Sequence, residues 1–195
     1  MNTTTQHPAL WRPALTLFIL LSLTLGIAYP LAVTGVVQIL FPQQAAGSLV
    51  IRDAQVTGSA LIGQPFTSPG YFHGRPSATA PTPYNAANSG AANLGPSNPA
   101  LLKQISQRAQ ALRAANPTQT GPIPVDLVIT SASGLDPHIS PPAAYYQAAR
   151  IAAARGWSLE RVNELIETHT EPAQWGLFGE ARVNVLALNL ALDGK

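Results

Sequence analysis

No cysteine occurs among the 195 residues. That excludes disulfides, thiolate metal sites and a cysteine nucleophile, and it leaves the redox compartment open. Charge is scarce as well, since Asp, Glu, Lys and Arg make up 10% of the chain, against about a quarter in an ordinary soluble domain. From Ala54 to Val125 there is no Asp or Glu, and the charged residues are Arg75, Lys103, Arg108 and Arg113. A stretch of this kind does not gather cations through carboxylates. The net charge of +2 is too small to point to nucleic acid. With 15 Gly and 18 Pro the chain falls short of the disordered regime, and it has no repeat that would indicate a solenoid.

What the chain does have is a long apolar run, Ala14 to Phe41, of 28 residues without a charge. A helix needs about 20 such residues to cross a bilayer core, so this one spans with residues to spare. Two other readings fit less well. A cleaved signal peptide would end near Val33-Thr34-Gly35, but apolar character continues through Val36, Val37, Ile39, Leu40 and Phe41. The other is a buried core helix, but Leu and Ile facing all round with no polar stripe fit lipid better. The expected division is an N-terminal arm over 1–13, a membrane helix over 14–36 within the run to 41, a hinge over 42–48 and one domain over 49–195. Pro30 removes a backbone donor and is expected to bend the helix. Arg12 and Arg52 balance across the span; the N-terminal amine, and Asp53 beside Arg52, tip the positive-inside rule toward a cytoplasmic N-terminus.

Beyond the anchor the pattern is α+β. Leu49-Val50-Ile51 and Val56–Ile62 read as short strands. Pro65 to Pro99 is dense in Pro, Gly, Asn and Ser, with Arg75 its one charge. Tyr71, Phe72, Tyr84 and Leu94 need burial there, which argues for an ordered loop over a linker. Ser97 or Asn98 caps a helix that Pro99 opens and Asn116-Pro117 stops, with Leu102, Ile105, Ala109 and Leu112 as its apolar face. Val125–Ser131, a β-branched run, reads as the best strand. Ser140 caps a second helix, which Gly156 ends, and Ser158 caps a third. Glu171–Glu180 reads as a loop. Val183–Leu192 fits helix or strand, and its Leu and Ala content favours helix.

Asp136, His138 and Ser140 put a carboxylate, an imidazole and a hydroxyl within five residues. Adjacency in sequence does not align a triad. A turn made by Asp136, a helix cap made by Ser140 and a polar His138 between them account for the same residues. His7, His73, His138 and His169 lack metal-ligand spacing, and Gly58–Gly63 lacks the lysine of a phosphate-binding loop. Three function classes stand at this point. They are an anchored scaffold subunit, an extracytoplasmic hydrolase using Asp136, His138 and Ser140, and a sugar-binding module using Trp157, Trp175 and the Asn-rich loop.

Six motifs carry a resemblance: RPALTLFILLSLTLGIAYPLAVTG (12–35), LIGQPF (61–66), YFHGRPSA (71–78), YNAANSGAANLGPSNP (84–99), TSASGLDPHISPPAA (130–144) and ETHTEPAQWGLFGEARVNVLALNLAL (167–192). In this order and length they resemble the C subunit of the Kdp potassium-transporting ATPase. The resemblance implies a single-span accessory subunit that is not an enzyme by itself. Its partners would be a channel-like K⁺-translocating subunit, a P-type ATPase subunit and a very small one-helix subunit, in a complex that imports K⁺ at the cost of ATP. It implies a domain outside the cytoplasm, a role in assembly, and a chaperone-like effect on the ATPase subunit's affinity for nucleotide. Gln64 is the family-style nucleotide candidate. A domain outside the membrane cannot touch ATP in the cytoplasm, so that effect has to pass through the complex as a coupling free energy; no tightly bound cofactor or metal is implied. The candidate interface residues within the motifs are Tyr71, Phe72, Arg75, Ser77, Tyr84, Asn85, Asn88, Ser89 and Asn93, together with Asp136 and His138.

Overall fold

The computed structural model describes residues 10–52 and 54–194. Most of the expected N-terminal arm, with His7, lies outside the described residues, as do Asp53 and Lys195. The chain divides into two units, one ending at Ser48 and the other beginning at Leu49.

The first unit is one long helical run over Trp11–Leu40, 30 residues, long and apolar enough to cross a membrane. At about 1.5 Å per residue it reaches roughly 45 Å, against a hydrocarbon core of about 30 Å. Its first part is α1 (Trp11–Leu23) and its last is α2 (Tyr29–Leu40), and neither buries a residue within the chain. Between them Thr24–Ala28 forms a π-helical turn, in which Tyr29 N–H donates to the Thr24 carbonyl. Pro30 would otherwise collide with the carbonyl one turn earlier, and the widened turn directly before it is where that conflict is absorbed. Phe41 leaves helical geometry at φ −136°, as a residue before proline tends to do. Pro42 then opens a further short helical turn, α3 (Pro42–Ala45). Part of the expected hinge is therefore helical.

The second unit is α+β. Strands β1 (Leu49–Arg52) and β2 (Gln55–Ser59) form an antiparallel hairpin with a bulge after Val50. The other sheet has three very short strands in the order β3-β5-β4: His138–Ile139, Arg182–Asn184 and Thr170–Glu171, all antiparallel. Helix α4 (Pro99–Ala115) takes its cap from Asn98, whose Oδ1 accepts the Ala100 N–H at 2.9 Å. Leu102 was expected on its inner face but is 59% exposed. The inward residues are Leu101, Ile105, Ala109 and Leu112, one helical stripe further round.

Helix α5 (Pro141–Arg155) is capped by Ser140 and ends on Gly156 in the left-handed region, φ +65°. Its alanines 143, 144, 148 and 152 are buried, so neighbours approach its backbone closely. Helix α6 (Leu159–Thr168), capped by Ser158, packs Val162 and Ile166 against it. Helix α7 (Val185–Leu192) adds Val185, Leu188 and Leu192, and Phe72, Ile139, Ile151 and Val183 complete the core. Truncating Ile166 to Ala would leave a hole at the centre of this layer and cost about 2–5 kcal/mol.

The run Val125–Ser131 is not a strand. Val125–Leu127 is a 3-10 turn and the rest is irregular, with Leu127 and Val128 buried and Val125 exposed. Asp126 is needed there to accept the Ser140 N–H at 2.7 Å, and an extended ladder would not serve that bond. The ambiguous segment 183–192 is both things in turn. Strand β5 ends at Asn184, whose Oδ1 accepts the Ala187 N–H and starts α7.

Candidate functional site

Residues 60–98 contain no strand or helix among the described residues, so their backbone groups must find partners elsewhere. The partners are side chains of the helices. Asn189 on α7 accepts the Phe72 N–H through Oδ1 at 2.8 Å and donates Nδ2 to the Phe72 carbonyl at 2.9 Å. Gln147 on α5 does the same to His73, accepting its N–H at 2.9 Å and donating to its carbonyl at 3.1 Å. Each amide takes the place that a neighbouring strand would have. Both are buried.

Two arginines of α5 close the segment from the other side. Arg150 donates to the carbonyls of Pro69 and Tyr71, the latter at 3.1 Å. Arg155 donates to the Gly70 carbonyl at 2.6 Å and pairs with Asp193 at 2.9 Å, its guanidinium 4.8 Å from the Tyr71 ring centre. The Tyr71 hydroxyl donates to the same Asp193 carboxylate at 3.0 Å. Burial, and then the charge of Arg150, hold the His73 imidazole below its usual range, opposed by its bond to the Ser68 carbonyl.

Further along, Ser77 is the centre of a polar knot. Its hydroxyl donates to the Gly134 carbonyl at 2.7 Å and accepts the Tyr84 N–H at 2.9 Å. Thr79 accepts the Asn85 N–H at 3.0 Å, and the Asn85 and Asn88 amides both donate to the Ala80 carbonyl, at 2.9 and 3.0 Å. The Ser89 hydroxyl donates to the Ser133 carbonyl at 3.0 Å. Asn93 sits at φ +50°, a conformation Asn tolerates better than most residues, and its side chain is exposed. Gly134, at φ +68°, has no room for a Cβ, which would lie 2.6 Å from the Thr79 methyl and 2.7 Å from the Gly90 carbonyl. The Tyr84 hydroxyl donates to the Arg75 carbonyl, and its ring fills the space a side chain at Gly63 would need. Burial first, and then the Asp136 charge, push the Tyr84 phenol up to about 12, against the pull of Arg75.

Arg75 and Asp136 lie on an open cleft of about 600 Å³ that is also lined by Asp126, His138, Ser140, Glu180 and Arg182. Arg75 Nη1 meets Asp136 Oδ2 at 3.1 Å. The other oxygen accepts the His138 N–H at 2.9 Å, closing the turn expected at Asp136, with His138 Nδ1 3.6 Å away. Burial works to raise the Asp136 carboxyl, but the His138 ring and N–H and the Arg75 charge prevail and hold it below the usual carboxylate range. The Ser140 hydroxyl accepts the Ala143 N–H as the helix cap, and among the described residues no hydrogen bond joins it to His138. These three residues therefore build a turn and a helix start.

Gln64 lies away from this cleft. Its Nε2 donates to the Thr57 carbonyl at 3.1 Å, over Gly58, where a Cβ would fall 1.6 Å from that nitrogen. Sequence reasoning missed Gln147, Arg150, Arg155 and Asn189, whose partners in the loop lie more than 70 residues away. The one signal available was a polar residue inside an otherwise apolar helix, as Asn189 is within VLALNLAL.

Residues 11–194 match the family model for KdpC, the c chain of the K⁺-transporting ATPase. The chain belongs to the KdpC family. Among its relatives, the potassium-transporting ATPase KdpC subunit of Polaromonas naphthalenivorans is 64% identical over 93% of each chain. The subunit of the same name from Variovorax paradoxus is 63% identical over 94% of this chain and 95% of its own. That of Yersinia enterocolitica is 59% identical, over 94% and 92% respectively. The KdpC match begins at the first residue of the apolar helix and runs through α7, so helix and domain belong to one family unit.

Proposed function

We propose that this chain is the single-span accessory subunit of an ATP-driven potassium import complex, required for its assembly and activity. Its N-terminus lies in the cytoplasm, and the domain after Ser48 lies outside and binds other subunits. Those are the channel-like K⁺-translocating subunit, the P-type ATPase subunit and the small one-helix subunit. The observation that carries this reading is a family match covering the apolar helix and the domain together. The geometry agrees with a scaffold, because Asp136 is bound to Arg75 and the His138 N–H, and the Ser140 hydroxyl starts α5. ATP associates only with the complex, and any influence of this subunit on nucleotide affinity is a coupling between distant sites, about 1–3 kcal/mol in typical cases. The test is purification from the native membrane through a C-terminal tag. Potassium-transporting ATPase subunits should come with it in fixed proportion. Recovery of the chain alone, or recovery with the domain on the cytoplasmic side, would overturn the reading.

A further inference from the structure

The segment between β4 and β5 is a built finger with apolar residues at its tip. Gln174 and Phe178 pair as an antiparallel bridge, Gln174 N–H to the Phe178 carbonyl at 2.8 Å and the reverse at 2.9 Å. Trp175 and Gly176 turn the chain with positive φ at both positions, +56° and +72°, the signs a type I′ turn requires. Left-handed geometry is uncommon for a bulky residue, and it is held here by the bridge and by Leu177 N–H donating to Gln174 at 3.2 Å. The Trp175 and Phe178 rings meet edge to face at 5.9 Å. Trp175 is 85% exposed and Leu177 77%, and Phe178 is exposed as well. A finger this ordered holds three large apolar side chains in water, and nothing in the domain's own packing calls for them there.

Charge decides what the finger fits. All five glutamates of the chain lie between Glu160 and Glu180, and from Val162 to Ala181 there is no Lys or Arg. Glu180 stands at the base of the finger and pairs with no described residue, whereas Glu171 on the adjoining strand is held by Arg182 at 3.0 Å. A bilayer surface carries anionic headgroups and attracts Lys and Arg, so an acidic surround works against lipid. An exposed Trp with apolar neighbours and an acidic edge suits a protein surface instead.

We propose that Trp175, Leu177 and Phe178 form the plug by which this domain docks, entering an apolar socket edged by Lys or Arg on the extracytoplasmic surface of another subunit of its complex. This rests on the function proposed above. The experiment is co-purification of the complex through the tagged full-length chain, for wild type, Trp175→Ala, the Trp175→Ala/Leu177→Ala pair and Glu180→Lys. Trp175→Ala should lower apparent affinity by about tenfold or more, as loss of a central aromatic anchor does. Glu180→Lys should weaken retention most at low salt. The melting temperature of each variant should stay at the wild-type value, because these side chains are exposed. If wild type retains the other subunits and the double variant retains them equally, the plug assignment fails alone. If wild type retains none, the function reading fails and takes the plug with it. A separate arm reconstitutes the full chain by itself into phosphatidylglycerol vesicles with brominated acyl chains. Trp11 at the start of the apolar helix is quenched in both proteins, and quenching greater in wild type than in Trp175→Phe would make lipid the occupant and overturn the protein socket.

Discussion

Asn189 and Phe72 lie 117 residues apart, yet the Asn189 amide satisfies both backbone groups of Phe72. The loop's position is thereby fixed by α7 as firmly as a sheet neighbour would fix it.

Asn189→Ala should be among the most damaging single changes in the domain. It leaves a buried N–H and a buried carbonyl without partners, at about 1–3 kcal/mol each. The expected loss is roughly 2–5 kcal/mol, read by denaturant unfolding. Hydrogen exchange at Phe72 should accelerate well beyond that in α6. Gln147→Ala should behave alike at His73. An unchanged midpoint for both would mean that the loop is held by something else.

Arg75→Ala removes the Asp136 ion pair from a half-buried site and leaves the acid facing the cleft. About 2 kcal/mol is expected, a fall of roughly 4–8 °C in melting temperature for a domain of this size. A melt within 1 °C of wild type, with subunit retention lost, would instead assign Arg75 to an interface.

Acid should weaken the domain in two windows. The His73 imidazole titrates below its usual range in the folded state, so its stabilisation is full above about pH 6.5 and declines as pH falls through its lower folded value. Asp136, also lowered, contributes above about pH 3.9 and is lost below that. His73→Gln should flatten the upper window and leave the lower one. Asp136→Asn should do the reverse.

Tyr84 gives the opposite sign. Its phenol is raised to about 12, so the stability it lends is present below about pH 10 and is lost as pH rises through 12. Ultraviolet titration of wild type minus Tyr84→Phe should place one tyrosine near that value. The variant should lose about 1 kcal/mol with the bond to the Arg75 carbonyl.

The parts of this fold legible in the sequence are those decided within four or five residues. Ser140, Ser158 and Asn98 each cap the helix they precede, and Gly156 ends α5 where an L side chain would be strained. Val125–Ser131 misled because a β-branched run reports burial as well as extension, and Leu127 and Val128 are buried without a ladder. Strands of two or three residues, such as β3 and β4, carry no period to read. The cleft was half legible. The turn at Asp136 could be foreseen, whereas the helix amides that hold the loop are joined to it only by tertiary structure.

The clamps on residues 69–73 all come from α5, α7 and the chain end at Asp193. A chain is made from its N-terminus at about 5–20 residues per second. By that rate some 120 residues separate the birth of Phe72 from that of Asn189, an interval of roughly 6–24 s. Until α5 emerges the proline-rich stretch, almost without charge, lacks its first clamps, and Phe72 lacks its own until α7 is made. The subunit is therefore most exposed to proteases and to wrong association while it is being made, and a truncation that removes only α7 should release Phe72 while Gln147, Arg150 and Arg155 of α5 still hold the residues beside it.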